Sequence, residues 1–429
     1  MQVYVVQSGD TLFSIANMYH TTIEAIQKAN DLTTTQLIVG QSLVIPIVGQ
    51  YYFVQPGDTL YNIAQRFGMS VELLARINQL PPNFTLPVAL RLYIPPLPKR
   101  KLTTFGYIEP IGETVSPVLE SAAQSKSPYL TFLAPFTYRV HRDGSLTPPP
   151  LNRFKEISKQ HKTEMALVIS NLEGDNFSSE LAHIVLNVKA VQHKLIDEIV
   201  NIAVKEGFGA VHVDFEFVPQ DDREAYNKFL EKLKPRLNDY NILLSTALAP
   251  KYNKTQPGLL YEAHDYQVHG EIADFVVLLT MEWGYQMGEP QAISPINEVE
   301  KVLAYALTEI PKEKILLGQN LYGYDWTLPF VKGKSKARAI SPQQAVQIAR
   351  EHFAEIEYDE AAQAPFFEYY DENGRQHVVW FEDARSIKAK FDLVNRLELS
   401  GIAYWKLGYQ FPQNWLLLKD RFEINKANG

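Results

Sequence analysis

Between Gly209 and Val218 the chain reads Gly-Ala-Val-His-Val-Asp-Phe-Glu-Phe-Val, an apolar run with an ionisable residue at every second position from His212 to Glu216. Successive side chains of a strand alternate faces. His212, Asp214 and Glu216 therefore share one face, and Val211, Val213, Phe215 and Phe217 share the other. Both faces must be largely buried, one against helices and one in a surface that tolerates charge, as in a parallel strand lining a barrel. At a rise of about 3.3 Å per residue the two carboxyls lie about 7 Å apart along the strand, close enough for each to feel the other's charge. Such a pair is equipment for acid–base work on a glycosidic bond or a similar ether. An ionised Asp214 raises the pKa of Glu216 by like-charge repulsion and keeps an acid available near neutral pH. Carboxylates that merely cap a strand are the alternative.

The elements that would hold this strand are visible from about residue 102 onward. Apolar runs occur at Thr103–Ile108, Tyr129–Phe136, Met165–Ser170, Ala210–Phe217, Ile242–Leu248, Phe275–Thr280, Ile315–Leu321 and Gly401–Leu407. Helical patterns between them include Leu195–Lys205, Ala225–Leu237, Ile296–Thr308 and Pro342–His352. The alternation predicts class α/β, a (β/α)₈ TIM barrel over residues 103–425. A small α+β insertion is expected at about 354–380, where Phe366–Tyr370 and His377–Trp380 flank an Asn373-Gly374 hairpin turn.

Ahead of the barrel stands an internal repeat. Val6-Gln7-Ser8-Gly9-Asp10-Thr11-Leu12 recurs as Val54-Gln55-Pro56-Gly57-Asp58-Thr59-Leu60, an offset of 48 that also takes Asn30-Asp31-Leu32 to Asn78-Gln79-Leu80. Leu43-Val44-Ile45-Pro46 answers Leu92-Tyr93-Ile94-Pro95 with one extra residue. Each copy reads strand, helix, helix, strand, with Asp10 or Thr11 placed to cap the first helix. The expected units are residues 1–48 and 49–96, followed by a stiff basic linker at 97–102 around Pro98-Lys99-Arg100-Lys101.

Composition narrows the partners. A net charge of −8 over 429 residues, with pI about 5.8, argues against nucleic acid. The start has no basic n-region or long apolar segment, so no secretory signal is expected, and no uncharged apolar run suits a membrane span. With no cysteine there are no disulfides or thiolate metal sites; His264, Asp265 and His269 fit no standard ligand spacing, so neither metal nor cofactor is expected. Aromatic residues make up 12 %, enough to suggest sugar-stacking surfaces, although core packing accounts for most of them.

The two repeats resemble LysM modules, which bind the N-acetylglucosamine backbone of peptidoglycan or chitin. The resemblance implies grooves formed by Gly9, Asp10, Thr11 and Leu12 with Asn30, and by Gly57, Asp58, Thr59 and Leu60 with Asn78. Turn and cap chemistry is the other reading of these residues. Asp214-Phe215-Glu216 after a glycine-led apolar strand resembles the signature of glycoside hydrolase family 18, as do Ala249-Pro250-Lys251, Leu321–Trp326 and Gly401–Gly408. With two LysM modules in front, the whole chain resembles the spore-cortex-lytic N-acetylglucosaminidases of spore-forming bacilli. That resemblance implies a retaining, substrate-assisted β-N-acetylglucosaminidase acting on spore peptidoglycan or its fragments during germination, made without a signal peptide and located in the spore. No protein partner is indicated.

In that reading Glu216 protonates the leaving oxygen, the substrate's own acetamido carbonyl attacks, and Asp214 orients the acetamide. Trp405 becomes the floor of the sugar pocket, Tyr324 and Trp326 its walls, and Asp325 a substrate contact; Glu282, standing for an aspartate, also meets substrate. His212 replaces an aspartate and is expected either to hydrogen-bond and tune Asp214 or to be a satisfied interior histidine. Met281 stands where the family places a tyrosine that holds the acetamido carbonyl. Another hydroxyl, from Tyr285 or Tyr324, must replace it or the enzyme is slow. A glycan-binding or structural spore protein with a weakened barrel, and a chitinase, are the alternatives.

Overall fold

The computed structural model describes residues 1–81, 83–96 and 98–426. Each repeat folds as expected. In the first, strands Gln2–Val5 and Ser42–Ile45 pair antiparallel around helices Leu12–Met18 and Ile23–Asn30. In the second, Gln50–Phe53 and Arg91–Ile94 enclose Leu60–Arg66 and Val71–Ile77. Local chemistry sets these boundaries. Thr11 and Thr59, not the preceding aspartates, are the N-caps, each accepting from a backbone N–H in the first turn. Asp10 and Asp58 instead tie the turn before the helix, accepting from the N–H of Gln7 or Gln55 and from the hydroxyl of Tyr4 or Tyr52.

Eight parallel strands close the barrel: Arg100–Ile108, Phe132–Pro135, Glu164–Ser170, Ala210–Asp214, Leu243–Leu248, Phe275–Leu278, Ile315–Asn320 and Gly401–Trp405. Each pairs with its sequence neighbour among the eight, and the last pairs with the first. The helical stretches fall where periodicity put them, at Lys189–Glu206, Arg223–Asn238, Ile296–Glu309 and Pro342–Glu351.

Three expectations need correction. The linker is shorter than 97–102, because the first barrel strand already begins at Arg100, whose guanidinium donates to Asn395 Oδ1 and to the carbonyls of Val394 and Leu399. Leu97, within that expected linker, lies outside the described residues. The insertion is larger than 354–380: Gly323–Thr327, expected at the rim of the pocket, is the second strand of a five-stranded antiparallel sheet, between Arg338–Ile340 and Gln376–Trp380, with Ala364–Tyr370 and Glu357–Asp359 beyond. Lastly, the fourth barrel strand stops at Asp214 rather than Phe217. Phe217 takes φ +52°, which turns the chain away and leaves its ring part-exposed instead of on the apolar face.

The first module is wedged between insertion and barrel. Val39 O accepts from the Ile356 N–H, Gly40 O from Arg385, Asn30 O from Gln343, and Ser42 Oγ from the Ala384 N–H. Val44 belongs to the main barrel core. The second module leans on the first instead: Arg91 donates to Met18 O and lies 4.6 Å from the Tyr51 ring centre, and Tyr51 N–H donates to Gln2.

Candidate active site

The carboxyl pair sits at the C-terminal mouth of the barrel, at the rim of a cavity of about 420 Å³. Asp214 ends the fourth strand and is buried, and its Oδ1 has no hydrogen-bond partner among the described residues. Burial pushes its pKa up to about 7. Glu216 lies just beyond the strand yet lines the same cavity. Burial, then the charges of Asp214 and Glu282, holds its pKa well above the usual glutamate value.

Two devices aim Glu216, and neither was legible in the sequence. The Asn171 side chain, following the third barrel strand, brackets the Glu216 backbone: its Nδ2 donates to Glu216 O at 2.8 Å and its Oδ1 accepts from Glu216 N at 3.0 Å. Asn171 is itself fully buried. On the other side, Phe217 is held in its left-handed conformation by the Ser179 hydroxyl, which donates to Phe217 O. Strain of order 1–3 kcal/mol at such a residue persists only where the surroundings over-determine it.

His212 does not touch Asp214. Its Nε2 bonds the Tyr107 hydroxyl at 2.7 Å and its Nδ1 the Ser245 hydroxyl at 2.8 Å. Burial lowers its pKa to about 3, so the ring is neutral and the expected tuning of Asp214 by a protonated histidine is set aside. The interior-histidine reading describes its surroundings. What His212 does is hold Tyr107, whose ring packs edge-on against Trp405 at 5.3 Å. Trp405 lines the cavity, braced also by Phe136 at 4.9 Å. Lys406 beside it pairs with Glu109 across the rim.

Of the other expected contacts, Met281 and Glu282 reach the cavity wall. Glu282 accepts from the hydroxyls of Tyr322 and Tyr324. Burial raises its pKa, against the pull of those two bonds. Tyr324 is thus a support for Glu282 and not a cavity wall. Trp326 and Asp325 belong to the insertion: Trp326 is buried and donates to Gly288 O, while Asp325 pairs with His377 and Arg338. Their placement corrects the expectation of wall and substrate contact, since an antiparallel sheet, not a barrel rim, holds them. Tyr285 is exposed, with Gly288 against its ring, outside the cavity lining. The hydroxyl that the lining offers besides Tyr107 is Tyr261, on the loop after the fifth strand.

In the modules, Asn30 and Asn78 are committed to the fold. Asn30 donates to Ile26 O and Val44 O and accepts from Val44 N; Asn78 makes the matching bonds to Leu74 O, Tyr93 O and Tyr93 N. Those bonds use both amide hydrogens of each, which corrects their expected role as glycan contacts to a structural one. Leu12 and Leu60 are core residues, and Gly9 and Gly57 supply positive φ in the turns.

Comparison with known proteins agrees with this geometry. The family described as "Glycosyl hydrolases family 18" matches residues 114–410, and the LysM domain matches 4–46 and 52–95. The chain is 54 % identical to the cortical fragment-lytic enzyme of Bacillus subtilis (strain 168), covering 99 % of both chains. Among solved structures it resembles the spore cortex-lytic enzyme SleL of Bacillus megaterium QM B1551, at 47 % identity, 99 % coverage of each and TM-score 0.90. The Bacillus cereus spore cortex-lytic enzyme SleL is 44 % identical, at TM-score 0.92, over 100 % of this chain and 99 % of that one.

Proposed function

The chain belongs to glycosyl hydrolase family 18, with two LysM domains ahead of its barrel, and on that footing we propose a β-N-acetylglucosaminidase that cuts spore-cortex peptidoglycan or its fragments during germination. The observation that carries it is the pair of Asp214, buried, and Glu216, part-buried, at the cavity that Trp405 lines. Glu216, kept protonated by its surroundings, gives its proton to the leaving glycosidic oxygen. The substrate's acetamido carbonyl attacks the anomeric carbon from the opposite face, forming an oxazolinium ion. The unpartnered Oδ1 of Asp214 accepts from the acetamide N–H and stabilises the developing positive charge. Water, deprotonated by Glu216, then opens the ring with net retention. With Met281 unable to donate, the Tyr261 hydroxyl, which lines the same cavity, holds the acetamido carbonyl in this reading. The LysM domains raise the local concentration of the polymer. Spore association follows the curated relatives.

Mass spectrometry of purified peptidoglycan tests the assignment. Wild type should release fragments with new reducing-end N-acetylglucosamine, and Glu216→Gln should lose about 10²–10⁴-fold in kcat. If neither cuts while both still pellet with the polymer, the chain is a glycan-binding protein with a weakened barrel, the reading that Met281 favours. Glu282→Gln removes one of the two negative charges acting on Glu216. Glu216 then ionises more readily, so the alkaline limb of kcat/KM moves to lower pH; an unmoved limb contradicts that electrostatic assignment.

A further inference from the structure

A second hollow lies apart from the catalytic cavity. A groove of about 510 Å³ runs along the seam between the first LysM module and the barrel. One wall is Asp31, the left-handed residue that ends the module's second helix. The other walls are the helix Pro117–Lys126 and the segment Gly408–Trp415, which follows the last barrel strand. Tyr409 in that segment packs against Tyr322 at 5.4 Å, and Tyr322 holds Glu282 of the catalytic cavity. A chain of side chains, Tyr409 to Tyr322 to Glu282, therefore links groove and cavity.

The groove carries one charge of each sign. Lys126 lays its stem over Trp415, with Nζ 5.7 Å from the ring centre. Burial lowers its pKa, and the charge that opposes this is Asp31 across the seam. Among the described residues Lys126 makes no ion pair and no side-chain hydrogen bond, an expensive state for a half-buried ammonium. Ser121 and Ser125 on the same helix face the groove with exposed hydroxyls.

We infer that this seam is a second substrate subsite, which takes the stem peptide of a peptidoglycan strand. A peptide carboxylate sits on Lys126 and the ammonium of its diamino acid faces Asp31. A bare chitin chain has neither group, so the subsite distinguishes peptide-bearing glycan from glycan alone. The inference rests on the peptidoglycan reading above.

The test uses the full chain with Glu216→Gln, so that ligands bind without turnover. Calorimetry compares a peptide-bearing muropeptide, the same glycan stripped of peptide, and chitotetraose, with and without Lys126→Met or Asp31→Asn. Methionine keeps the stem on Trp415, and asparagine tolerates the left-handed backbone at position 31. Each substitution should weaken the muropeptide by about tenfold and leave the other two ligands unchanged. Equal weakening of all three, of both peptide-free and peptide-bearing glycan, or of none overturns the subsite. Failure of the peptidoglycan reading is separate: it appears as uncut polymer with the wild type, whatever the binding arms show.

Discussion

The two LysM modules have the same fold, the same threonine cap on the first helix and the same bracketing asparagine, yet they stand differently in the molecule. Turn positions Gly40 and Ala89 answer each other, with φ +81° and +65°, and both donate their N–H to the valine that follows the first strand, Val6 or Val54. In the second module nothing forbids a Cβ there. In the first, a Cβ on Gly40 would stand 1.8 Å from the Ile356 carbonyl oxygen. Ser42, which caps the approach of Ala384, is answered by Arg91, which reaches the other module instead. A repeat duplicates the internal rules of a fold; docking is written only into those few positions where one copy meets a different neighbour.

The sharpest way to break this contrast is Gly40→Val. The overlap with the Ile356 backbone should cost at least about 3 kcal/mol in denaturant unfolding, or release the module from the barrel, whereas Ala89→Gly should stay within about 0.5 kcal/mol. Equal effects at both sites would mean the first module is not docked as described. Asn30→Ala and Asn78→Ala come next. Both remove the clamp on the closing strand, but Asn30 is fully buried and also faces Gln413, so about 3 kcal/mol is expected for Asn30 and about half that for Asn78. Thermal melts of the pair decide it. Smallest is Ser42→Ala, which leaves the Ala384 N–H without its acceptor and should cost about 1 kcal/mol; Arg91→Ser, at the matching position, should be close to neutral. A neutral Ser42→Ala would assign the docking to shape alone.

Local patterns explain what was legible. Apolar runs alternating with helical patterns marked all eight barrel strands, and Thr11, Thr59 and the two glycine turns follow from cap and turn chemistry within a few residues. The carboxyl pair was legible for the same reason, being two residues apart on one strand end. The insertion was read too short because Gly323–Thr327 has the same apolar pattern in an antiparallel sheet as at a barrel rim. Tyr324, Asp325 and Trp326 were misplaced with it.

The sequence alone determined the two modules, the barrel and the carboxyl pair on its fourth strand, because each is encoded in contacts between residues near in the chain or in a repeating period. Only the tertiary structure decided what surrounds that pair. Asn171 grips Glu216 from 45 residues away, Tyr107 meets His212 from 105 away, and elsewhere Asp31 faces Lys126 across the seam between the first module and the barrel. Side chains that meet across such separations leave no period to read, since each is positioned by a different strand end, and only closure of the barrel brings those ends together.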